Sequence, residues 1–474
     1  MTIAFDNSYA RLPERFFTRQ HAEAVAEPQV IALNTELAED LGIAADDLTA
    51  DWLAGNAVPE GAAPLAQVYA GHQFGNFVPQ LGDGRALLMG EVVDEDGARF
   101  DIQLKGSGRT PYSRMGDGRA AIGPVIREYI LSEAMAALGV PTSRALAAVT
   151  TGERVVREEG PLPGAVLTRV AASHIRVGTF QYFYAKGDVD GLRELADHAI
   201  ARHDPEADSY VAFLDGVVER QARLVAQWMQ LGFIHGVMNT DNCTISGETI
   251  DYGPCAFLDG FDPGKVFSSI DRAGRYAWGN QGRIAHWNMA QLAQALLPLL
   301  DADEEKAVEL AQGAVDRFPA LFQRHHVEGF CAKLGIAEPE AGDASLVEAT
   351  LEMLAGAGVD YTLFWRHLRG ALRDAGPLRE VISGEAFDAW FERWEARVQG
   401  LPMAEYTMAG ANPVRIPRNH QVEAAIEAAE RGDYAPFEAL NAALAEPYGE
   451  DSALLAYEAG PEAHEVVHRT FCGT

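Results

Sequence analysis

The chain is short of cysteine, of lysine and of long apolar runs, and each shortage narrows what it can be. Four cysteines, Cys243, Cys255, Cys331 and Cys472, are scattered over 474 residues, too few and too dispersed for a disulfide framework or a zinc knuckle. No window approaches the roughly 18 uncharged apolar residues of a membrane-spanning helix. Residues 1–20 mix charged and aromatic side chains and contain no signal-peptide core. These absences predict a cytoplasmic protein with no membrane partner. Positive charge is scarce as well: 38 basic against 69 acidic residues give a net charge of −31. A surface so acidic is a poor match for a phosphate backbone, which binds lysine and arginine by releasing counterions, so nucleic acid is excluded as the main partner.

What is present is ordinary globular composition, 48% hydrophobic and 23% charged, in a chain long enough for about three structural units. Lysine occurs at only five positions, Lys105, Lys186, Lys265, Lys306 and Lys333. Lys105 closes a strand pattern, which makes it the lysine to follow.

The pattern predicts an N-terminal extension over residues 1–66, with a helical stretch from Gln29 to Leu41 and another from Asp46 to Leu53. A strand-rich lobe follows over 67–170. There, Arg85–Val93 and Ala98–Lys105 are joined by Asp94-Glu95-Asp96-Gly97, which is hairpin turn chemistry. A Gly/Arg-rich loop leads to a helix over Val125–Leu138, with Pro124 before it and Gly139 after it. Further strands are expected at Arg144–Thr150, Glu153–Arg157 and Gly164–Val170. A helical lobe spans 171–300, with a long amphipathic helix over Tyr210–Leu231 ending at Gly232. A helical extension occupies 301–474.

The chemistry is carried by the loop His235-Gly236-Val237-Met238-Asn239-Thr240-Asp241-Asn242. It aligns without a gap on the protein-kinase catalytic loop H-R-D-L-x-x-x-N. Val237 stands where a kinase has its catalytic Asp and can neither accept a proton nor bind metal. Asp241 is the nearest carboxylate able to take over. Asp251-Tyr252-Gly253 is a close variant of D-F-G, whose Asp holds magnesium on nucleotide phosphates. The stretch between, Cys243–Ile250, reads as a tight hairpin around Gly247.

The strand-rich half supplies the other kinase parts in order. Gly82-Asp83-Gly84-Arg85 is a glycine turn whose bare N–H groups can approach phosphates. Lys105 ends the second strand, and Glu128 lies early in the next helix, placed to orient it as an ion pair. Singly, these are a turn, a strand end and a first-turn carboxylate favoured by the helix dipole. The ordered set is what points to a nucleotide site.

At these residues the chain resembles the selenoprotein O family, protein-kinase-like proteins that lack the usual catalytic Asp. The resemblance runs nearly end to end. It includes Tyr69-Ala70-Gly71-His72-Gln73-Phe74-Gly75, Gln103-Leu104-Lys105-Gly106-Ser107-Gly108, the His235–Asn242 loop, Asp251-Tyr252-Gly253-Pro254, Asn412-Pro413 and Ile416-Pro417-Arg418-Asn419. It implies an α+β, two-lobed kinase-like fold with N-terminal and helical C-terminal extensions. It also implies magnesium-dependent transfer of AMP from flipped ATP to Ser, Thr or Tyr hydroxyls of proteins, with pyrophosphate leaving. Manganese is an alternative metal, and UMP transfer from UTP has been assigned to bacterial members. By the resemblance Gly82, Gly84, Arg85, Lys105, Asp117, Gly118, Arg169, Arg176 and Asp251 contact nucleotide, Asp241 accepts the proton, and Asn242 and Asp251 hold the metal. The arginines suit this role, because a buried triphosphate tail needs cations with a planar donor fork. Ordinary γ-phosphoryl transfer and an inert nucleotide-binding scaffold are the alternatives.

Two features fall outside that set. Cys472 occupies the place near the C-terminus where some family members carry selenocysteine or cysteine, so a redox role is an expectation. His464-Glu465-Val466-Val467-His468 matches H-E-x-x-H. With so little chain after it to supply a third ligand, it reads as a solvated helix and not as a zinc site.

Overall fold

The computed structural model describes residues 3–158 and 160–471, which form a mixed α+β architecture. In chain order the strands of the first half are β1 (Phe17–Arg19), β2 (Gln29–Leu33), β3 (Leu65–Gln67), β4 (Gly71–Gln73), β5 (Asn76–Val78), β6 (Ala86–Val93), β7 (Arg99–Lys105), β8 (Ala120–Ala121), β9 (Arg144–Arg157) and β10 (Gly160–Ala171). β4 and β5 pair only with each other. The rest form one antiparallel sheet in the order β1-β3-β6-β7-β10-β9-β2, with β8 added against β10.

Period-2 alternation explains how this sheet makes a site. Ile102 and Leu104 of β7 point into a core with Leu87, Met89, Val166, Val170, Trp52 and Leu53. Their neighbours Asp101, Gln103 and Lys105 therefore share the opposite face. Registration opposite β10 sets Arg169 against Gln103, so a buried cation joins the same polar face.

The helices that position the site are α1 (Thr35–Asp40), α2 (Ala50–Ala54), α3 (Ile122–Ala137), α4 (Val177–Ala185), α5 (Val189–His203), α6 (Tyr210–Leu231) and α7 (Gln281–Leu300). α3 packs its apolar face, including Val125, Ile126 and Tyr129, against Leu167 of the sheet and against Val422, Ile426 and Phe437 from the C-terminal helices. α6 begins at Ser209, whose side chain accepts from Ala212 N, and ends on Gly232 at φ +74°. That glycine adopts the left-handed conformation a Cβ would oppose. Further helices run from Glu304 to Leu444. No helix among the described residues is long and apolar enough to cross a membrane.

Three local expectations are corrected. Gln29–Leu41 is not one helical stretch: Gln29–Leu33 is strand β2, paired with β9, and only Thr35–Asp40 is helical. The Val-Ile pair of Gln29-Val30-Ile31-Ala32-Leu33 is better suited to a pleated edge, and Asn34 then caps the helix by accepting from Leu37 N. Cys243–Ile250 is not a hairpin paired with itself. Thr244 bridges Arg176 and Thr249 bridges Thr142, while Thr244 and Glu248 close the turn. The His464–His468 segment is turn followed by chain without regular structure, not helix, and among the described residues no group of three His, Cys, Asp or Glu that could hold a metal occurs. Cys472 lies outside the described residues.

Candidate active site

The residues expected to contact nucleotide, hold the metal or accept the proton, together with Glu128, line one cavity of about 1180 Å³. One wall is the Gly82-Asp83-Gly84-Arg85 turn. Gly82 has φ +135°, and a Cβ there would stand 2.8 Å from Gln67 O, so the turn needs glycine to pass beneath Tyr112. The Asp117-Gly118 loop also lines the cavity, and there Asp117 is gripped by Arg157 at 2.8 and 3.2 Å. Gly118 has φ +70°, and a Cβ would fall 2.1 Å from Gly108 O.

The floor is a cluster of charges. Lys105 Nζ donates to Glu128 Oε2 at 2.5 Å and to Asp251 Oδ1 at 2.7 Å, so the expected pair with Glu128 forms and is extended by a second carboxylate. Arg169 donates to Gln103 Oε1 at 2.7 Å, Glu128 Oε1 at 3.1 Å and Asp251 Oδ1 at 2.8 Å. Arg176 donates to Asp251 Oδ2 at 2.8 Å and to Asp241 O at 2.6 Å, with its guanidinium 4.6 Å from the ring centroid of Tyr69. Asp251 thus meets three cations. Burial alone would raise its carboxyl pKa, but Lys105, Arg169 and Arg176 overcome this and hold it well below the carboxylate range.

Local sequence explains why Asp251 points inward. The two-residue strands β11 (Phe233–Ile234) and β12 (Ala256–Phe257) pair and bracket the loop. His235 is buried, and its Nε2 lies 2.9 Å from Ile250 O, which ties the loop's start to the residue before Asp251. Asp251 takes φ +64°, a left-handed conformation that Asp tolerates better than most side chains.

Asp241 sits beside this cluster in a 3₁₀ turn, Thr240–Asn242. Its Oδ2 accepts from Gln73 Nε2 at 3.1 Å. Burial pushes its pKa up to about 6, against the lowering effects of the Gln73 hydrogen bond and Arg176. Asn242 donates its amide nitrogen to Val237 O at 3.0 Å, and among the described residues its amide oxygen has no hydrogen-bond partner. Arg85 lines the cavity and is half-buried.

Sequence reasoning missed three members of the site. Gln103 and Asp83 are buried and linked, Gln103 Nε2 donating to Asp83 Oδ2 at 3.2 Å. The spacing of Gln103 two residues before Lys105 was a usable signal for a shared face. Asp83 lay inside the glycine turn, and burial pushes its pKa up to about 6 against the pull of Arg176. Gln73 stood in the Tyr69–Gly75 string, but nothing there pointed to Asp241, which it reaches across 168 positions of sequence.

The comparisons with known proteins agree on one family. A family model described as "Protein adenylyltransferase SelO" matches residues 1–445. The chain belongs to this family. Relatives include proteins named "Protein nucleotidyltransferase YdiU" from Methylorubrum populi, 57% identical with 99% of both chains covered, and from Rhodopseudomonas palustris strain HaA2, also 57% with 99% of both. A third, from Cereibacter sphaeroides strain ATCC 17029, is 56% identical over the whole of both chains. Membership makes the protein an enzyme of the nucleotidyltransferase class, which implies a nucleotide substrate.

Proposed function

We propose that this protein transfers AMP from ATP to Ser, Thr or Tyr hydroxyls of other proteins in the cytoplasm, releasing pyrophosphate, with UTP as an alternative donor. In this reading residues 67–170 and 171–300 are the two lobes of a kinase-like fold, flanked by an N-terminal extension over 1–66 and a helical one over 301–474. The observation that carries it is the disposition of charge. Lys105, Arg169 and Arg176 converge at the cavity floor, while the kinase base position is Val237 and the carboxylate has moved to Asp241.

Cations at the floor favour a nucleotide whose triphosphate enters first. Arg85, Arg169 and Arg176 then hold the β- and γ-phosphates, and Gly82, Gly84, Asp117 and Gly118 line the way out toward the nucleoside. The donor set suits magnesium, with manganese as a substitute: the Asp251 carboxylate and the free amide oxygen of Asn242 are hard oxygen ligands, and such ions need few protein ligands when phosphates supply the rest. Bound there, the ion would neutralise charge on the departing pyrophosphate.

Asp241 accepts the proton of the acceptor hydroxyl as its oxygen attacks the α-phosphorus. The bond from that phosphorus to the bridging oxygen breaks, and the electron pair leaves with pyrophosphate. Arginines already fixed by hydrogen bonds to Asp251, Glu128 and Gln103 stabilise that charge without reorganising. The deciding experiment labels ATP at either the α- or the γ-position. Protein should take label from the α-position alone, with a mass gain of one AMP. Label from the γ-position would make this a kinase, and tight binding with no label from either position would make it an inert scaffold.

A further inference from the structure

Gln73 has no part in the mechanism above, yet it touches the group at the centre of it. The β4–β5 hairpin pairs through His72 with Phe77 and Gln73 with Asn76, and it lies across the loop that carries Asp241. Three hydrogen bonds fix it there. Phe74 N donates to Asn239 Oδ1 at 3.0 Å, His72 N to Thr240 Oγ1 at 2.7 Å, and Gln73 Nε2 to Asp241 Oδ2 at 3.1 Å. Three successive hairpin residues thus engage three successive loop residues.

The hairpin is itself held in place. Thr240 Oγ1 donates to Gln181 Oε1 at 2.6 Å, and the nitrogen of the same amide lies 2.9 Å from His72 Nδ1. This ring of bonds closes on the residue before Gln73. Gly71 provides a wall: a Cβ there would stand 2.5 Å from Asp241 Oδ1 and 2.9 Å from its Cγ. Oδ1 is buried against that wall with no hydrogen-bond partner among the described residues. Gln73 is therefore the one side chain that hydrogen-bonds this carboxylate among the described residues.

We propose that Gln73 is a positioning residue for the transfer reaction, its amide N–H fixing the rotamer of Asp241 so that the carboxylate meets the acceptor hydroxyl. This rests on the reading of Asp241 as the proton acceptor. An amide suits the task. It donates to an anion without titrating, and it adds no positive charge that would weaken Asp241 as a base, as a lysine or arginine would. The hydroxyl proton passes to Asp241, and the amide keeps both of its own. Without the donor, the carboxylate can turn, and a misplacement of about 1 Å can cost about 100-fold in rate.

The test compares Gln73→Met, which keeps the length and loses the donor, with Gln73→Glu, which keeps the shape and sets an acceptor against Asp241. Asp241→Asn is run beside them. Labelling from α-labelled ATP gives kcat, calorimetry with magnesium and ATP gives Kd, and thermal melting reports the fold. Expected is a kcat loss of roughly 10- to 100-fold in Gln73→Met and a larger one in Gln73→Glu. ATP Kd should stay within about twofold and the melting temperature should hold. Where Gln73→Met proves unstable, the closely isosteric Glu variant decides. Wild-type kcat in Gln73→Met beside an inactive Asp241→Asn overturns the role of Gln73 alone. Wild-type turnover in Asp241→Asn overturns the reading of Asp241 and this proposal with it. An ATP Kd weakened as much as kcat makes Gln73 a nucleotide contact and also overturns it.

Discussion

Lys105 and Asp251 are 146 residues apart in the chain and 2.7 Å apart in space. One closes a strand, the other opens a left-handed turn, and the contact joins the sheet to the loop that carries Asp241. Asp251→Asn keeps the shape but removes the anion shared by Lys105, Arg169 and Arg176. Labelling should fall by at least about 100-fold, the scale of losing a single preorganised electrostatic contact. Magnesium should no longer tighten ATP binding, which calorimetry with and without the ion reads directly. Wild-type turnover in this variant would remove Asp251 from the metal site.

Much of this was legible because the signals are local. Strand β7 ends on Lys105 by simple alternation, α6 runs between a serine cap and Gly232, and the loop from His235 to Asn242 is contiguous. Gln29–Leu33 was misread because the helix formers after Asn34 outweighed two β-branched residues whose preference is realised only by pairing with β9. The convergence of Arg169, Arg176 and Asp251 has no sequence signature of its own. It comes from strand register on one side and a tied loop on the other. The contact of Gln73 with Asp241 was invisible for the same reason, since it is fixed by tertiary packing of a hairpin on a distant turn.

Gly118 tests the wall of the cavity. An alanine there needs φ near +70° and would put its Cβ 2.1 Å from Gly108 O, so the loop must move. The local cost is about 1–3 kcal/mol. Because Asp117 moves with it, Gly118→Ala should raise the KM for ATP at least several-fold. The folded core, far larger than this loop, should melt within a few degrees of wild type. An unchanged KM would show that the Asp117-Gly118 wall does not touch nucleotide.

Lys333 gives a stability test remote from the chemistry. It is buried, with Nζ 4.8 Å from the Trp365 ring centroid and 3.3 Å from Ala411 O. Burial lowers its pKa from 10.5 to about 7. Between those two values the unfolded chain binds a proton that the folded chain has released. Stability contributed by this residue therefore rises with pH across that window, by at most about 1.4 kcal/mol per unit. Lys333→Met should remove this slope and raise the melting temperature at pH 7. A destabilised Met variant would mean that the cation's attraction to Trp365 and Tyr361 outweighs its desolvation.

Arg176 tests which end of the nucleotide lies deepest. Its guanidinium reaches Asp251, the Asp241 carbonyl and the face of Tyr69 at once, a geometry that a lysine's single ammonium cannot reproduce. If the floor holds the β- and γ-phosphates, pyrophosphate with magnesium is a ligand in its own right and competes with ATP. Adenosine, which lacks the phosphates, depends on the outer walls instead. Arg176→Lys should then weaken pyrophosphate and ATP by a similar factor, roughly 10- to 100-fold for hydrogen bonds between charged groups. Adenosine binding should stay unchanged. Competition titrations with the three ligands measure this. Weakened adenosine binding with pyrophosphate unaffected would place the base at the floor and the phosphates at the mouth, the orientation of an ordinary kinase. Transfer from the α-phosphorus would then lose its geometric basis.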